Sequence, residues 1–483
     1  MARERVQAVD EGGREMETEL WRLGASDLAR AIRAKTVSSR EVVAAHLGRI
    51  EAVNPAVNAV TVVLAEQALA AADQADAALA AGGDVGPLHG VPITVKENAD
   101  VAGSATTQGV VALKDAVPAV DAPHIAQLRA AGAIVMARTN MPDVGLRYHT
   151  DNALRGATKN PWDAARTPGG SSGGEAVALA TGMSPLGMGG DLGGSLRWPS
   201  QCNGITAIRT TFGRVAAASA LPPEDATATI QLMSVQGPLA RHARDLRLAL
   251  SCMCGPDARD PRWVPAPLES PRPTAPVRVA VTTDPAGEGV HPAVAAAVRT
   301  AAASLADAGY AVEEAEPPMV AEGRDLFASM LVADLKVSLY PLLKAFASPD
   351  AVRFLDLVFA VVPEMDYAGY VNAFVRRSAL ARAWSLFMDR YPLVLGPVVT
   401  SPPFPVGFDL AGTTEVATII RDFRLCGLVN LLGLPSVAVP VGVADGLPQG
   451  VQVIGRAYRE DLCLDAAEAV ETRVGVFTPI DPR

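Results

Sequence analysis

Thr167-Pro168-Gly169-Gly170-Ser171-Ser172-Gly173-Gly174-Glu175 and Gly189-Gly190-Asp191-Leu192-Gly193-Gly194-Ser195-Leu196-Arg197 are the two Gly/Ser-rich segments whose joint reading decides the fold. Glycine lets backbone amides approach a reacting atom closely and take φ > 0, and the serines supply a nucleophile and a proton relay. Upstream, Val91-Pro92-Ile93-Thr94-Val95-Lys96-Glu97-Asn98 sets a lone lysine in an apolar run, where loss of hydration favours the neutral amine. One Gly/Ser loop alone reads as a plain turn. Two of them, following an apolar-flanked lysine, read as a serine hydrolase in which lysine does the work of histidine.

A phosphate cradle is the competing reading, because the helix-like run Gly174 to Gly182 places Gly169 to Ser172 near a helix N-terminus. No Gly-Lys-Ser/Thr follows the glycines, and the second loop would then have no role, so nucleotide binding is rejected.

Outward from these loops the chain alternates strands and helices. Ala25 to Ile50 carries apolar residues at helical spacing after a Ser26 cap, and Val62 to Ala81 is an Ala-rich helix. Val91 to Val95 is a buried strand that delivers Lys96 at its end, followed by a helix from His124 to Ala131 and a strand at Ile134 to Ala137. Pro256 to Pro276 reads as a long surface connection, after which Val277 to Val281 and Pro292 to Ala308 restore the strand–helix rhythm. Such alternation predicts an α/β fold, a sheet covered by helices on both faces. Asp325 to Tyr391 is helical and rich in aromatics, among them Phe327, Phe354, Trp384 and Phe387.

The chain has 483 residues, 49% of them hydrophobic, and a formal charge of −10. It can bury a large core, and it lacks the dense basic face that nucleic acid or an anionic membrane requires. Cys202, Cys252, Cys254, Cys426 and Cys463 show no zinc or disulfide spacing, and the histidines are dispersed, so no metal and no cofactor is expected. Met1 to Glu19 has mixed charges without the apolar centre of a secretory signal and reads as a frayed segment or solvated helix. The uncharged run Cys426 to Ala444 is broken by glycines and prolines into a buried strand with its turns, not a membrane span. The resulting expectation is a cytoplasmic protein.

The arrangement, order and spacing of the three segments resemble the amidase signature family. The likeness extends through Arg138-Thr139-Asn140, Lys159-Asn160-Pro161-Trp162 and Gly446-Leu447-Pro448-Gln449-Gly450-Val451-Gln452. It implies a central twisted mixed β-sheet flanked by helices, a flexible segment 1–19, and a single domain 20–483 in which 325–391 walls the substrate pocket. By position it implies Lys96 as base, Ser171 as a serine after a cis peptide bond, and Ser195 as nucleophile. The main-chain N–H groups of Leu192, Gly193, Gly194 and Ser195 match the family's oxyanion hole. Ser172 is expected to orient Lys96, Asp191 to hold the loop, and Arg197 to brace it or to meet a polar substrate group. His89 and His149 are declined as catalytic, since a histidine base would be redundant.

Departures from the family pattern bear on specificity. Gly190 and Leu192 stand where the family usually has Ser and Thr, Arg209-Thr210-Thr211 replaces Lys-Pro-Thr, and Tyr148 puts a bulky aromatic near the expected entrance as a substrate-binding candidate. The leading expectation is an amidase, through an acyl-enzyme on Ser195, acting on small amides, aryl amides or carbamates, with esterase side activity. The alternatives are a glutamine amidotransferase component similar to the ammonia-releasing one of the tRNA-dependent enzyme, and a noncatalytic binding protein on the same scaffold. Trp198 after Arg197 and the aromatic region point away from the polar pocket that glutamine would need. The expected partner is a small-molecule substrate, and a homodimer is left open.

Overall fold

The computed structural model describes residues 5–9, 15–222, 225–271 and 273–483. Its strands are β1 (Arg5–Val9), β2 (Glu15–Glu19), β3 (Val60–Val63), β4 (Pro92–Lys96), β5 (Ile134–Thr139), β6 (Leu186–Asp191), β7 (Thr206–Arg209), β8 (Val235–Ala240), β9 (Arg278–Val281), β10 (Ala311–Glu314), β11 (Leu393–Pro397), β12 (Ser436–Ala444) and β13 (Leu447–Gly455). β1 and β2 pair antiparallel with each other, where the sequence reading has a frayed or helical segment; residues 1–4 and 10–14 lie outside the described residues. The remaining strands form one 11-stranded sheet in the order β10-β9-β11-β13-β12-β7-β8-β6-β4-β5-β3. It is mixed: β4 runs parallel to both β5 and β6, whereas β8 is antiparallel to β6 and β7.

Alternation of side chains along each strand supplies a core on each face. Val279 and Val281 of β9 and Leu393 and Leu395 of β11 join the helices Pro292–Asp307 and Glu460–Val474 on one side. Ala280, Val394 and Ile454 face the other way, toward Val320–Ser338, Tyr367–Arg390 and Arg424–Leu432. β4 and β6 are buried along their whole length, as strands covered on both faces should be. Lys96 ends β4 and Asp191 ends the neighbouring, parallel β6, so the sheet itself sets the lysine beside the second Gly/Ser loop.

Several element boundaries differ from the sequence reading. Ala25 to Ile50 is two helices, Ala25–Arg33 and Ser39–Val57, parted where Lys35 takes φ 58° and restarted by a capping box of Ser38 and Glu41. Ser26 is not the first helix's cap: the Asp245 carboxylate accepts from the N–H groups of Ala25 (2.9 Å) and Ser26 (2.8 Å). Val60–Val63, a β-branched run, is an edge strand, and the Ala-rich helix starts at Ala65. Residues 426–444 are the end of a buried helix followed by β12, rather than strand and turns. Residues 320–390 are four helices, as the reading of 325–391 expects. Among the described residues no single helix is long and apolar enough to cross a membrane.

Candidate active site

Lys96 is 1% exposed. Its Nζ donates to Ser171 Oγ at 2.6 Å and to Ser172 Oγ at 3.1 Å. Burial brings the ammonium down from its usual range to about 7, against the opposing pull of Asp191 and Glu175. Glu175 is fully buried, with the Thr139 hydroxyl donating to it at 2.6 Å and the Thr94 hydroxyl donating as well. Burial raises its carboxyl to about 7. Gly187 of β6 makes room for it, since a Cβ there would fall 2.1 Å from Glu175 Oε1.

The first Gly/Ser loop is pressed against residues 147–150. The peptide bond Gly170–Ser171 is cis. A Cβ on Gly170 would lie 2.4 Å from the Arg147 carbonyl oxygen, so only glycine fits. Thr150 Oγ1 donates to the Gly169 carbonyl and accepts from the Gly173 N–H at the start of the helix Gly173–Ala180.

Asp191 organises the second loop. Its buried carboxylate accepts from the N–H groups of Gly194 (2.9 Å) and Leu196 (3.2 Å), from Arg197 Nε and Nη2 (3.1 Å each) and from Asn430 Nδ2 (2.9 Å). Burial alone would raise its pKa, but Arg197 and Arg209 hold it well below the usual carboxylate range. Arg197 is itself fully buried and donates to Gln452 and Asn430 too. Of the two roles expected for it, these contacts are those of a brace.

The expected oxyanion donors divide. The Gly194 N–H, on a residue at φ 106°, is spent on Asp191. Leu192, Gly193 and Ser195 line the adjoining cavity. Ser195 is half-buried at this wall. His149 bonds Thr167 Oγ1 and His89 bonds the Ala75 carbonyl.

The cavity beside Ser195 has a volume of about 130 Å³ and is mostly apolar. Phe327, Leu331, Leu335, Phe354 and Val358 come from the helices 320–390. Tyr148 forms part of the wall, its ring 4.3 Å from that of Phe423 and its hydroxyl near Gly193. The charged groups on the wall are already matched: Arg147 with Asp409, and Arg324 with Glu288 and Asp325. Trp198 does not line this cavity; it is buried against Phe404 and Phe423. Sequence reasoning missed Val416, Ile419 and Phe423 on the wall and Glu175 beneath Lys96; the i, i+3, i+7 spacing of the first three was a legible signal. Among the described residues no three His, Cys, Asp or Glu side chains converge as a metal-ligand set.

The family described as Amidase matches residues 41–464. An indoleacetamide hydrolase of Bradyrhizobium diazoefficiens is 43% identical over 95% of this chain and 88% of its own length. One subunit of the glutamyl-tRNA(Gln) amidotransferase of Salinispora arenicola is 33% identical over 96% of this chain and 99% of its own. Among solved structures, a bacterial aryl acylamidase of the amidase signature family superposes with a TM-score of 0.81 at 26% identity, covering 94% of this chain and 96% of that one. A buried lysine joined to two loop serines, a carboxylate-braced Gly/Ser loop and likeness along nearly the whole length lead to one conclusion: this chain belongs to the amidase signature family, hydrolases acting on amide C–N bonds.

Proposed function

We propose that this chain hydrolyses small amides whose acyl part is apolar and aromatic, arylacetamides of the indoleacetamide kind foremost, through an acyl-enzyme on Ser195. The observation that carries the reading is the 2.6 Å contact of a buried Lys96 with Ser171, next to an apolar cavity in whose wall Ser195 stands. A neutral Lys96 has a lone pair for that same contact. It takes the proton of Ser171, Ser171 takes that of Ser195, and Ser195 Oγ attacks the carbonyl. The N–H groups of Leu192, Gly193 and Ser195 stabilise the oxyanion. Reversal of the relay protonates the leaving amine, and water then cleaves the acyl-serine ester. Ser172 orients Lys96, while Asp191 and Arg197 hold the loop.

Carbamates and activated esters present the same carbonyl and are secondary substrates under this reading. Glutamine is disfavoured, because its ammonium and carboxylate would enter a wall whose arginines are already paired. The amidotransferase relative is also the more distant of the two. A small, diffusible substrate suits a cytoplasmic enzyme that works without cofactor.

A substrate panel tests this: arylacetamides, anilides, acetamide, aryl carbamates, p-nitrophenyl esters and glutamine, with the purified chain alone. Arylacetamides should have the highest kcat/KM among the amides; a higher value for glutamine would overturn the reading. Leu331→Trp, which fills the cavity, should cost arylacetamide about tenfold or more in kcat/KM relative to acetamide.

Glu175 gives a pH prediction. The active form needs deprotonated Lys96, so kcat/KM rises with pH through the lysine's pKa near 7. Glu175 raises that pKa, and Glu175→Gln removes its charge, so the rising limb of the profile should move to lower pH. An unmoved or upward-shifted limb would mean that the carboxylate does not tune the base.

A further inference from the structure

Tyr148 carries the one hydroxyl on the wall of the cavity beside Ser195 that the proposed chemistry leaves unused. Among the described residues on that wall, only Tyr148 and Ser195 have an oxygen in the side chain. The rest are apolar or glycine, apart from Arg147 and Arg324, which can only donate and are already paired. Tyr148 Oη has no hydrogen-bond partner among the described residues, and packing does not seal it off. A phenol in apolar surroundings ordinarily finds a partner.

The ring is held, so the hydroxyl has a defined place. The ring centroid lies 4.3 Å from that of Phe423 and 6.0 Å from that of Phe354, and Trp198 Nε1 donates to the Tyr148 carbonyl at 3.1 Å. The hydroxyl comes out beside Gly193, 4.0 Å from where a Cβ on that glycine would stand, and two ring carbons of Phe327 lie 3.5 and 3.9 Å from the same point. These are ordinary contact distances, and Gly193 is not in the left-handed region, so the fold itself would accept a side chain there. Its absence keeps a notch open in the loop that leads to Ser195, where an entering ring meets the Phe327 face and the phenol oxygen together. Burial raises the pKa of the phenol, so it remains a neutral hydroxyl that can accept as well as donate.

With the arylacetamide reading above as its basis, we infer that Tyr148 sets specificity for the acyl group, its phenol oxygen accepting a hydrogen bond from an N–H at the edge of a bicyclic ring such as indole. Apart from the nucleophile, no other side chain on the wall offers an oxygen to such an N–H. An isostere without the N–H leaves the phenol unpartnered and is cleaved less well.

Steady-state kinetics on indole-3-acetamide and benzothiophene-3-acetamide test this in the wild type and in Tyr148→Phe. The two amides have nearly the same shape, and sulfur replaces the N–H in the second. The wild type should favour the indole by roughly tenfold or more in kcat/KM. Tyr148→Phe should abolish that preference, mainly through a raised KM for the indole, and should leave the benzothiophene kinetics and the melting curve unchanged. Turnover of the benzothiophene by the variant shows at the same time that it is folded. Equal cleavage of the two amides by the wild type, or a preference that survives in Tyr148→Phe, would overturn the assignment. So would an equal loss of kcat on both amides in the variant, which would place the phenol at the reacting carbonyl instead. Failure of the wild type to cleave either amide, with other amides of the panel turned over, would refute the arylacetamide reading and the assignment with it.

Discussion

Ser195→Ala is expected to lower amide turnover on the order of 10⁶-fold, the scale seen when a serine hydrolase loses its nucleophile. Stability should change by no more than about 0.5 kcal/mol, because Ser195 is half-buried at the edge of a cavity and the loop is held by Asp191 instead. The check is a single-turnover assay on an arylacetamide alongside thermal melting of the same preparation. A folded variant with wild-type kcat would remove Ser195 from the chemistry and the acyl-enzyme with it.

Lys96→Ala should cost amide hydrolysis about 10²–10⁴-fold, the range of a general acid–base group. It should cost a p-nitrophenyl ester less, because a phenolate leaves without being protonated and an amine does not. Lys96→Arg should also be inactive at every accessible pH, since guanidinium keeps its proton. In the wild type, kcat/KM should climb with pH through a transition near 7. Equal losses on amide and ester would assign Lys96 a purely positional role at its contacts with Ser171 and Ser172.

What was legible in the sequence was local. The two Gly/Ser loops announce themselves because only glycine tolerates backbone packed as closely as Gly170 is against Arg147. β4 announces itself because a strand buried on both faces is largely apolar, here Pro92, Ile93 and Val95, with Thr94 and Lys96 as its polar members. What was not legible depended partly on residues far away in the chain and partly on local contacts that the pattern does not display. Asp245 caps a helix that starts at Ala25, and Ser26, the local candidate, loses to it. Asp191 takes the Gly194 N–H, so a donor that matches by position is withdrawn by a side chain three residues earlier. The wall opposite the helices 320–390 is built from Val416, Ile419 and Phe423, which look in isolation like any amphipathic core face. The capping box at Ser38 and Glu41 was readable, and the continuous helical spacing on either side obscured it.

The central claim is that Ser195 is a nucleophile activated through Ser171 by Lys96. Labelling with a fluorophosphonate, followed by peptide mass spectrometry, tests it most directly. The account predicts a single phosphonylated residue, Ser195, in the wild type and strongly reduced labelling in Lys96→Ala. Labelling at another serine with Ser195 untouched, or undiminished labelling of Ser195 in Lys96→Ala, would contradict it.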